Sequence, residues 1–177
     1  MSSEPAIRDQ RRVWSHFQNE AQDSFLRSRP RLDFIARQIQ KIRRNSLCIL
    51  NVGIGEEYLE DRLLGSGHEV FAVDLDPRSV ERMTARGVRA QVGRIEQMPF
   101  PASEFDVVVT SEVLKHLSEE EGQQALIEVH RVLKPNAVYL GTVPCDEDLK
   151  TSMCVCVRNA VCISIVGATS GHSHRNR

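Results

Sequence analysis

The chain has 177 residues, a formal net charge of −1 at pH 7 and 41% hydrophobic residues. This length suits one domain with a core of its own. Because the charges balance, there is no basic field to recruit nucleic acid or an acidic membrane surface, and we expect neither partner. No apolar run is long enough to cross a membrane, and residues 1–12 (MSSEPAIRDQRR) lack the apolar stretch of a secretory signal, which predicts a cytoplasmic protein. The odd number of cysteines, five, argues against a disulfide framework.

Residues 7–40 are rich in charge and carry apolar residues at helical spacing. This pattern predicts two amphipathic helices, interrupted near Pro30. We place a helical cap domain over residues 1–44. Trp14 and Phe17 fall on its apolar face, and the simplest interpretation is that they pack on the rest of the protein.

Residues 47–76 predict a strand, a tight turn, a helix and a second strand. The apolar run at 47–52 (LCILNV) suits a buried strand. Gly53 and Gly55 then allow the backbone to turn sharply and a ligand to approach closely. Apolar residues at helical spacing predict a helix over 56–64.

The second strand, at 69–74, ends in an acid, Asp74. In a βαβ unit the ligand lies outside the carboxyl ends of the strands, so the glycine turn and Asp74 should face one crevice, where the carboxylate accepts hydrogen bonds from a ribose diol. A dinucleotide site usually shows G-x-G-x-x-G, but the third position here is Tyr58, and Glu56 and Glu57 stand where phosphate charge would lie. A cationic sulfonium ligand with a ribose suits these residues better.

At these positions the chain resembles the class I S-adenosylmethionine-dependent methyltransferases of the small-molecule type. The likeness covers about residues 45–145, which we take as the core domain. It implies a Rossmann-like three-layer α/β sandwich with a mainly parallel sheet in the strand order 3-2-1-4-5, and S-adenosyl-L-methionine as the cofactor. The cofactor-binding residues that follow from the resemblance are Asn51, Gly53, Ile54, Gly55, Asp74, Leu75, Arg94, Ile95 and Ser111.

Two of these residues depart from the family pattern. Asn51 stands where the family usually has an acid before the glycine turn; asparagine keeps the hydrogen bonding but loses the charge. The loop at 93–100 (GRIEQMPF) resembles the family's G-D-A-E-x-L-P-F, whose first acid accepts from the adenine amino group. Arg94 replaces that acid and cannot accept a hydrogen bond, so we expect weaker adenine binding or a backbone carbonyl in its place.

The later segments continue the alternation of helices and strands. We predict a helix over 77–85, an edge strand over 88–92, a buried strand over 105–110, a helix over 118–133 and a fifth strand over 137–144. Ser111 follows the fourth strand, beside the expected methyl donor. His116 is a weak candidate for a general base, because the family often has a packing histidine at that place. Methyl transfer of this type works by alignment, so no catalytic side chain is required.

The tail at 146–177 does not match the rest. A full sheet of this family needs about two further strands after the fifth, one of them antiparallel, and we predict a C-terminally truncated sheet in which these last strands are missing. Residues 155–167 are apolar and β-branched enough for one strand, and an uncovered fifth strand would be an open edge.

The sequence after Cys156 also departs from the family. Members carry, after the fifth strand, a segment similar to V-C-P-x-C-G-x-x-F-H-R-W-G-H-Q, which this chain follows only over 153–156 (MCVC). Displacing the reading frame by two bases from residue 157, with the third base of each codon free, permits PKCGMHFHRWGHQRS. We therefore hypothesise a frameshift near Cys156; the alternative is a naturally short, variable C-terminus, and the coding DNA decides between them.

The tail carries residues of the types that bind zinc. They are Cys154, Cys156, Cys162, His172 and His174. They lack the paired C-x₂-C spacing of a zinc ribbon, so we predict no metal.

Three functions remain open. The first is an S-adenosylmethionine-dependent methyltransferase with an unknown small-molecule acceptor. The second is a fragment that binds the cofactor but is inactive. The third, an NAD-dependent oxidoreductase, is disfavoured by Tyr58 and the acids beside it. The sequence does not indicate an oligomeric state.

Overall fold

The structure is a computed structural model that describes residues 28–42 and 46–143, and the backbone of residues 161–166. Helices and strands alternate along these residues. The helices are α1 (Arg29–Gln40), α2 (Tyr58–Gly65), α3 (Pro77–Ala85) and α4 (Glu119–Val132), with a 3-10 turn at Leu114–His116. The strands are β1 (Cys48–Val52), β2 (Glu69–Asp74), β3 (Arg89–Val92), β4 (Phe105–Ser111), β5 (Leu133–Val143) and β6 (Val161–Val166).

The strands form one sheet in the order β3-β2-β1-β4-β5-β6, and every neighbouring pair is parallel. In the middle of the sheet, Ile49 of β1 pairs with Val70 of β2 and with Val107 of β4. The predicted order of the first five strands is confirmed. The winding reverses between β1 and β4, and this is the point at which ligands bind in open α/β sheets.

The sixth strand extends the sheet beyond the fifth. Its sequence, VCISIV, is the apolar and β-branched run expected to form one strand. Val138 of β5 pairs with Val161 of β6. This corrects the expectation of an open edge at β5, because β6 occupies that edge. The hypothesis of a shifted reading frame near Cys156 stays a hypothesis.

Both faces of the sheet are covered, which gives the predicted three layers. On one face, Ile49 and Val107 belong to a cluster with residues of α1, α2 and α3. On the other face, Leu50 and Val108 belong to a second cluster with residues of α4 and of the loop at 93–100. Successive residues of β1 are therefore fully buried on opposite sides, which explains why this strand is a continuous apolar run in the sequence.

Helix α1 begins at Arg29, with Pro30 in its first turn. This agrees with the predicted interruption near Pro30, since proline is tolerated at a helix start and not in its interior. The helix expected before it, with Trp14 and Phe17, lies outside the described residues. No helix that the structure describes is long and apolar enough to span a bilayer.

Helix α2 begins two residues later than predicted, because the turn after β1 extends to Glu57. The Glu57 N–H donates to the carbonyl oxygen of Ile54 (3.3 Å), and Glu57 has a φ of 66°, in the left-handed region. That conformation costs a residue with a β-carbon about 1 kcal/mol or more. The Glu57 carboxylate forms ion pairs with Arg82 and Arg86, each at 2.6 Å, and these tie the turn to α3 and its end.

Substitutions at Glu57 separate the backbone cost from the ion pairs. We expect Glu57→Gly to be about 1 kcal/mol more stable than Glu57→Ala, because both lose the ion pairs and only glycine adopts a positive φ freely. The partly exposed ion pairs contribute about 0–1 kcal/mol each, so the free energy of unfolding of Glu57→Gly should be close to that of the unmutated chain. Urea unfolding of the three proteins measures this. Equal stability of the glycine and alanine variants would contradict the strain at this position.

Helix α4 is one residue shorter than predicted at each end. Ser118 caps it: the Ser118 hydroxyl accepts from the Glu121 N–H (3.3 Å) and the Glu121 carboxylate accepts from the Ser118 N–H (2.9 Å). β5 follows directly at Leu133 instead of at 137. The reason is a register shift: Leu133 pairs with Phe105 ahead of an irregularity, beyond which regular pairing resumes.

Candidate functional site

A cavity of about 510 Å³ opens at the carboxyl ends of β1, β2 and β4. This volume lies within the range of small-molecule sites. It is lined by the turn after β1, the end of β2, the loop after β3, the segment after β4 and the first turn of α1. All nine residues predicted to bind the cofactor line it: Asn51, Gly53, Ile54, Gly55, Asp74, Leu75, Arg94, Ile95 and Ser111. The structure thus brings together every position that the sequence indicated.

The glycine turn and Asp74 are joined directly. Asp74 Oδ2 accepts a hydrogen bond from the Ile54 N–H at 2.7 Å, and Asp74 Oδ1 accepts from the Asp76 N–H at 2.8 Å. The side chain is 6% exposed. Each carboxylate oxygen has a second lone pair, so Asp74 can brace the turn and still accept from a ribose hydroxyl. The predicted placement of the turn and the acid on one crevice is therefore observed.

Two glycines are required by close approach. Gly53 has a φ of 84°, and a β-carbon there would lie 2.8 Å from Val113 Cγ2. A β-carbon at Gly93 would lie 2.9 Å from Val73 Cγ2 and from Pro99 Cδ. These distances are too short for any side chain unless the neighbour shifts. A side chain at either position would therefore displace a residue that lines or supports the cavity.

The predicted adenine side carries an ion pair that the sequence did not reveal. Arg94 Nη2 lies 2.6 Å from Glu96 Oε1 and 3.3 Å from Glu121 Oε1. The hydrogen bond to Glu96 raises the pKa of Arg94, which stays charged. Glu96 also lines the cavity. Glu96, which matches the glutamate of the family's G-D-A-E-x-L-P-F, thus pairs with the arginine that replaces the acid of that motif, and Ile95 between them is 5% exposed.

The loop at 93–100 is held from below by α4. Glu128 Oε2 accepts from the Met98 N–H at 3.0 Å, and Arg131 donates to the carbonyl oxygens of Phe100 (2.8 Å) and Met98 (3.1 Å). Arg131 also donates to both oxygens of Glu128, at 2.7 and 2.8 Å, and this lowers the pKa of Glu128. The pair satisfies three backbone groups of the loop and fixes the floor of the cavity.

Truncating Arg131 should loosen this floor. We expect Arg131→Ala to cost about 2–3 kcal/mol of stability, because two carbonyl oxygens and the Glu128 carboxylate lose a charged donor. Arg131→Lys should be intermediate, since a lysine keeps the charge and cannot reproduce the fork. Thermal unfolding gives the stability, and amide hydrogen exchange in residues 93–100 reports the loop. Unchanged exchange there in Arg131→Ala would show that other contacts hold the loop.

A buried amide and a buried carboxyl meet behind the glycine turn. Asn51 is 3% exposed and Glu60 of α2 is 0% exposed. Asn51 Nδ2 donates to Glu60 Oε1 at 2.6 Å and to the Gly53 carbonyl oxygen at 3.2 Å. Burial raises the pKa of Glu60 to about 7, against the opposing effect of the hydrogen bond from Asn51. Glu60 was not predicted, and no sequence signal distinguishes it from its exposed neighbour Asp61.

The far end of the cavity is polar. Arg31 of α1 donates from Nε to Ser111 Oγ at 2.9 Å, and lies 3.8 Å from Glu112 Oε1. Glu112 also accepts from Thr142 Oγ1 at 3.1 Å. Glu112 has a φ of 65°, a conformation that non-glycine residues adopt rarely and often at functional sites. Arg31 and Glu112 were not predicted; Glu112 stands in the segment SEVLKHL, whereas Arg31 has no motif.

His116, the weak candidate base, also lines the cavity. Burial, followed by the charge of Lys115, lowers its pKa, and Glu112 opposes this. His116 is therefore neutral near pH 7, which is the form that accepts a proton.

The comparisons with known proteins agree with this geometry. A family model described as a methyltransferase domain matches residues 50–140, just over half of the chain. The chain belongs to this methyltransferase family. Membership of the class I S-adenosylmethionine-dependent methyltransferases, predicted from the residues, is thereby confirmed.

Relatives of the methyltransferase domain point the same way. This chain is 33% identical over 98 residues to a "Probable S-adenosylmethionine-dependent methyltransferase" of Mycolicibacterium smegmatis, and the match covers 54% of this chain and 37% of the relative. It is 30% identical over 118 residues to malonyl-[acyl-carrier protein] O-methyltransferase 1 of Coxiella burnetii, covering 67% of this chain and 41% of the relative. The match thus spans less than half the length of either relative.

The crystal structure of the PH0226 protein from Pyrococcus horikoshii has a similar fold. The TM-score is 0.55 at 26% sequence identity, over 62% of this chain and 54% of that chain. The Rossmann-like architecture predicted for the methyltransferase domain is thereby confirmed.

Only one of the two acids expected where phosphate charge would lie, Glu56 and Glu57, borders the cavity. Glu56 lines the cavity, but Glu57 is absent from its lining and is paired with Arg82 and Arg86. Glu56 and the missing third glycine therefore disfavour a dinucleotide, whereas Glu57 does not.

Within residues 28–42 and 46–143, no group of three His, Cys, Asp or Glu side chains could hold a metal ion. The cysteines and histidines of the tail that were weighed as ligands lie outside the residues whose side chains are described.

Proposed function

We propose that this chain binds S-adenosylmethionine in the cavity and transfers its methyl group to a small-molecule acceptor. The observation that carries this proposal is the hydrogen bond from the Ile54 N–H to Asp74 Oδ2, which joins the glycine turn to an acid at the end of the next strand. Together with the family membership, it supports a site for a nucleoside that carries a charged amino-acid part.

The residues present fit this cofactor. Glu56 lines the cavity with one oxygen paired to Arg29 at 2.6 Å and the other, Oε2, buried and without a hydrogen-bond partner among the described residues. An acidic group of this kind suits a cationic ligand and opposes a pyrophosphate. At the other end, Ile95 offers an apolar surface and Glu96 an acceptor for an adenine amino group.

The chain's own part in the reaction is alignment. When bound, the cofactor supplies an electrophilic methyl group on a positively charged sulfur. Asp74 holds the ribose end, and the glycine turn holds the amino-acid end. Ser111 and Glu112 face the space left for the acceptor, and the first turn of α1, through Arg31, helps to exclude water from it.

His116 is the weak candidate for a base that takes a proton from the acceptor. This role requires the neutral imidazole that burial favours. Because alignment alone can suffice, we expect His116→Ala to reduce methyl transfer by less than about a hundredfold.

Calorimetry tests the proposal. We expect S-adenosylhomocysteine to bind and NAD to give no heat. Binding of NAD in preference would support the oxidoreductase instead. Binding without methyl transfer to any acceptor in a panel of small alcohols, amines and acids would support the inactive fragment.

A further inference from the structure

Glu60 has no contact with the space proposed for the cofactor, yet its carboxyl is fully buried behind it. The amide of Asn51 links the two. One N–H of Asn51 Nδ2 is directed at Glu60 Oε1 (2.6 Å) and the other at the carbonyl oxygen of Gly53 (3.2 Å). The protonation state of the Glu60 carboxyl therefore affects how the carbonyl of Gly53, the first glycine of the turn, is held.

Two atoms of this pair, Asn51 Oδ1 and Glu60 Oε2, are buried without a hydrogen-bond partner among the described residues. The Gly53 carbonyl only accepts, so it fixes the Nδ2 side of the amide, and Oδ1 must point the other way. If Glu60 is a carboxylate, both orphaned atoms are acceptors and neither can satisfy the other. If Glu60 is protonated, its O–H is a donor for Asn51 Oδ1.

An acid and a primary amide that lie side by side form two hydrogen bonds in a ring. The short bond between Nδ2 and Oε1 would form one half of such a ring, and a protonated Glu60 Oε2 with Asn51 Oδ1 has the donor and acceptor chemistry of the other half. Buried polar groups are nearly always satisfied, which favours the protonated acid.

The surroundings also favour the proton. The charged groups that act on Glu60 are Asp74 at the end of β2 and Glu57 at the start of α2, and both are acids. Burial has the largest effect, and the charges of these acids add to it in raising the pKa.

We propose that Glu60 is a positioning residue that keeps its proton at pH values where ordinary glutamic acids have lost theirs, donates to Asn51 Oδ1 while accepting from Asn51 Nδ2, and so locks the amide that holds the Gly53 carbonyl. The proton comes from solvent, and no bond other than O–H forms. Asn51 stands where the family has an acid; this chain carries a carboxyl behind that position instead. The positioning role of Glu60 rests on the proposed function, whereas the protonation of Glu60 does not.

Infrared spectroscopy tests the proton without any ligand. The difference spectrum between the unmutated chain and Glu60→Gln isolates the carboxyl band of this residue. We expect a protonated-acid band that persists above pH 4.5 and converts to a carboxylate band near pH 7. Conversion near pH 4.5, where ordinary glutamic acids titrate, would overturn the proposal.

Binding of S-adenosylhomocysteine tests the positioning. Glu60→Gln keeps a donor for Oδ1 and an acceptor for Nδ2, so its affinity should stay within about threefold of the unmutated chain. Glu60→Leu offers neither and should lose about tenfold or more. Equal affinities in all three proteins, or an equal loss in both variants, would overturn the positioning role. If none of the three binds, the proposed function and the positioning role both fail, and the infrared titration still decides the protonation.

Discussion

Asp74→Asn is expected to lower the affinity for S-adenosylhomocysteine by about a hundredfold. Asp74 Oδ2 and Oδ1 each accept a backbone N–H, from Ile54 at 2.7 Å and from Asp76 at 2.8 Å. An asparagine has one acceptor oxygen, so one of these N–H groups faces an amide donor. The unpaired donor costs about 1–3 kcal/mol of stability in the free and the bound protein alike, so the affinity falls because the ribose loses its charged acceptor. Hydrogen bonds to charged groups contribute about 1.5–3 kcal/mol, and about 3 kcal/mol corresponds to two decades of affinity, which calorimetry measures.

Asp76→Asn is the matched control. Asp76 is as buried as Asp74, with 4% exposed, and its Oδ2 accepts from the Ser79 N–H and hydroxyl at 3.2 and 2.9 Å. It caps α3, a role that asparagine performs equally well, and it does not line the cavity. The affinity should stay within about twofold of the unmutated chain. A similar loss in both variants would mean that the Asp74 effect comes from the fold and not from the site.

Glu60→Gln is expected to stabilise the protein at alkaline pH by about 3 kcal/mol. Burial raises the pKa of Glu60 from 4.5 to about 7, so between these values the folded chain binds a proton that the unfolded chain has lost. The free energy of unfolding therefore falls as the pH rises from 4.5 to about 7, and at about 1.4 kcal/mol per pKa unit the loss is about 3 kcal/mol. Glutamine has no proton to lose, so the variant escapes this loss. Urea unfolding across this pH range measures the difference.

Glu128→Gln provides a control of opposite sign. The hydrogen bond from Arg131 lowers the pKa of Glu128 in the folded chain. Its contribution to stability is therefore present above pH 4.5 and is lost as the pH falls. The variant should be less stable than the unmutated chain at neutral pH, with the difference shrinking in acid. If the stability of Glu60→Gln and the unmutated chain differ by the same amount at every pH, the shift at Glu60 is absent.

The sequence predicted the central part of the fold because its signals are local there. The apolar run of β1, the glycines that follow it and the acid that ends β2 each have one structural solution, and together they define a βαβ unit. The family resemblance that includes these signals implied nine cofactor-binding residues, and all nine line one cavity. Parallel strands end at one edge of the sheet, so strand ends that are distant in sequence meet without further information.

The remaining site residues depend on contacts that no local pattern records. Arg31 reaches Ser111 across 80 positions, and Glu60 differs from the exposed Asp61 only by the face of α2 on which it lies. The start of α2 was placed too early because acids in a first turn are a good helix signal. Here Glu57 instead adopts a left-handed conformation, and its carboxylate forms ion pairs with α3 and its end.

The parallel arrangement of β1 between β2 and β4 bears on how the chain matures during synthesis. Ile49 pairs with Val107, so one wall of the cavity does not exist until the ribosome has released β4. A nascent chain that ends before β4 carries the glycine bend and its acid on an incomplete scaffold. The nucleoside can therefore act as a folding ligand only after β4 has left the ribosome, when mass action begins to favour the closed sheet.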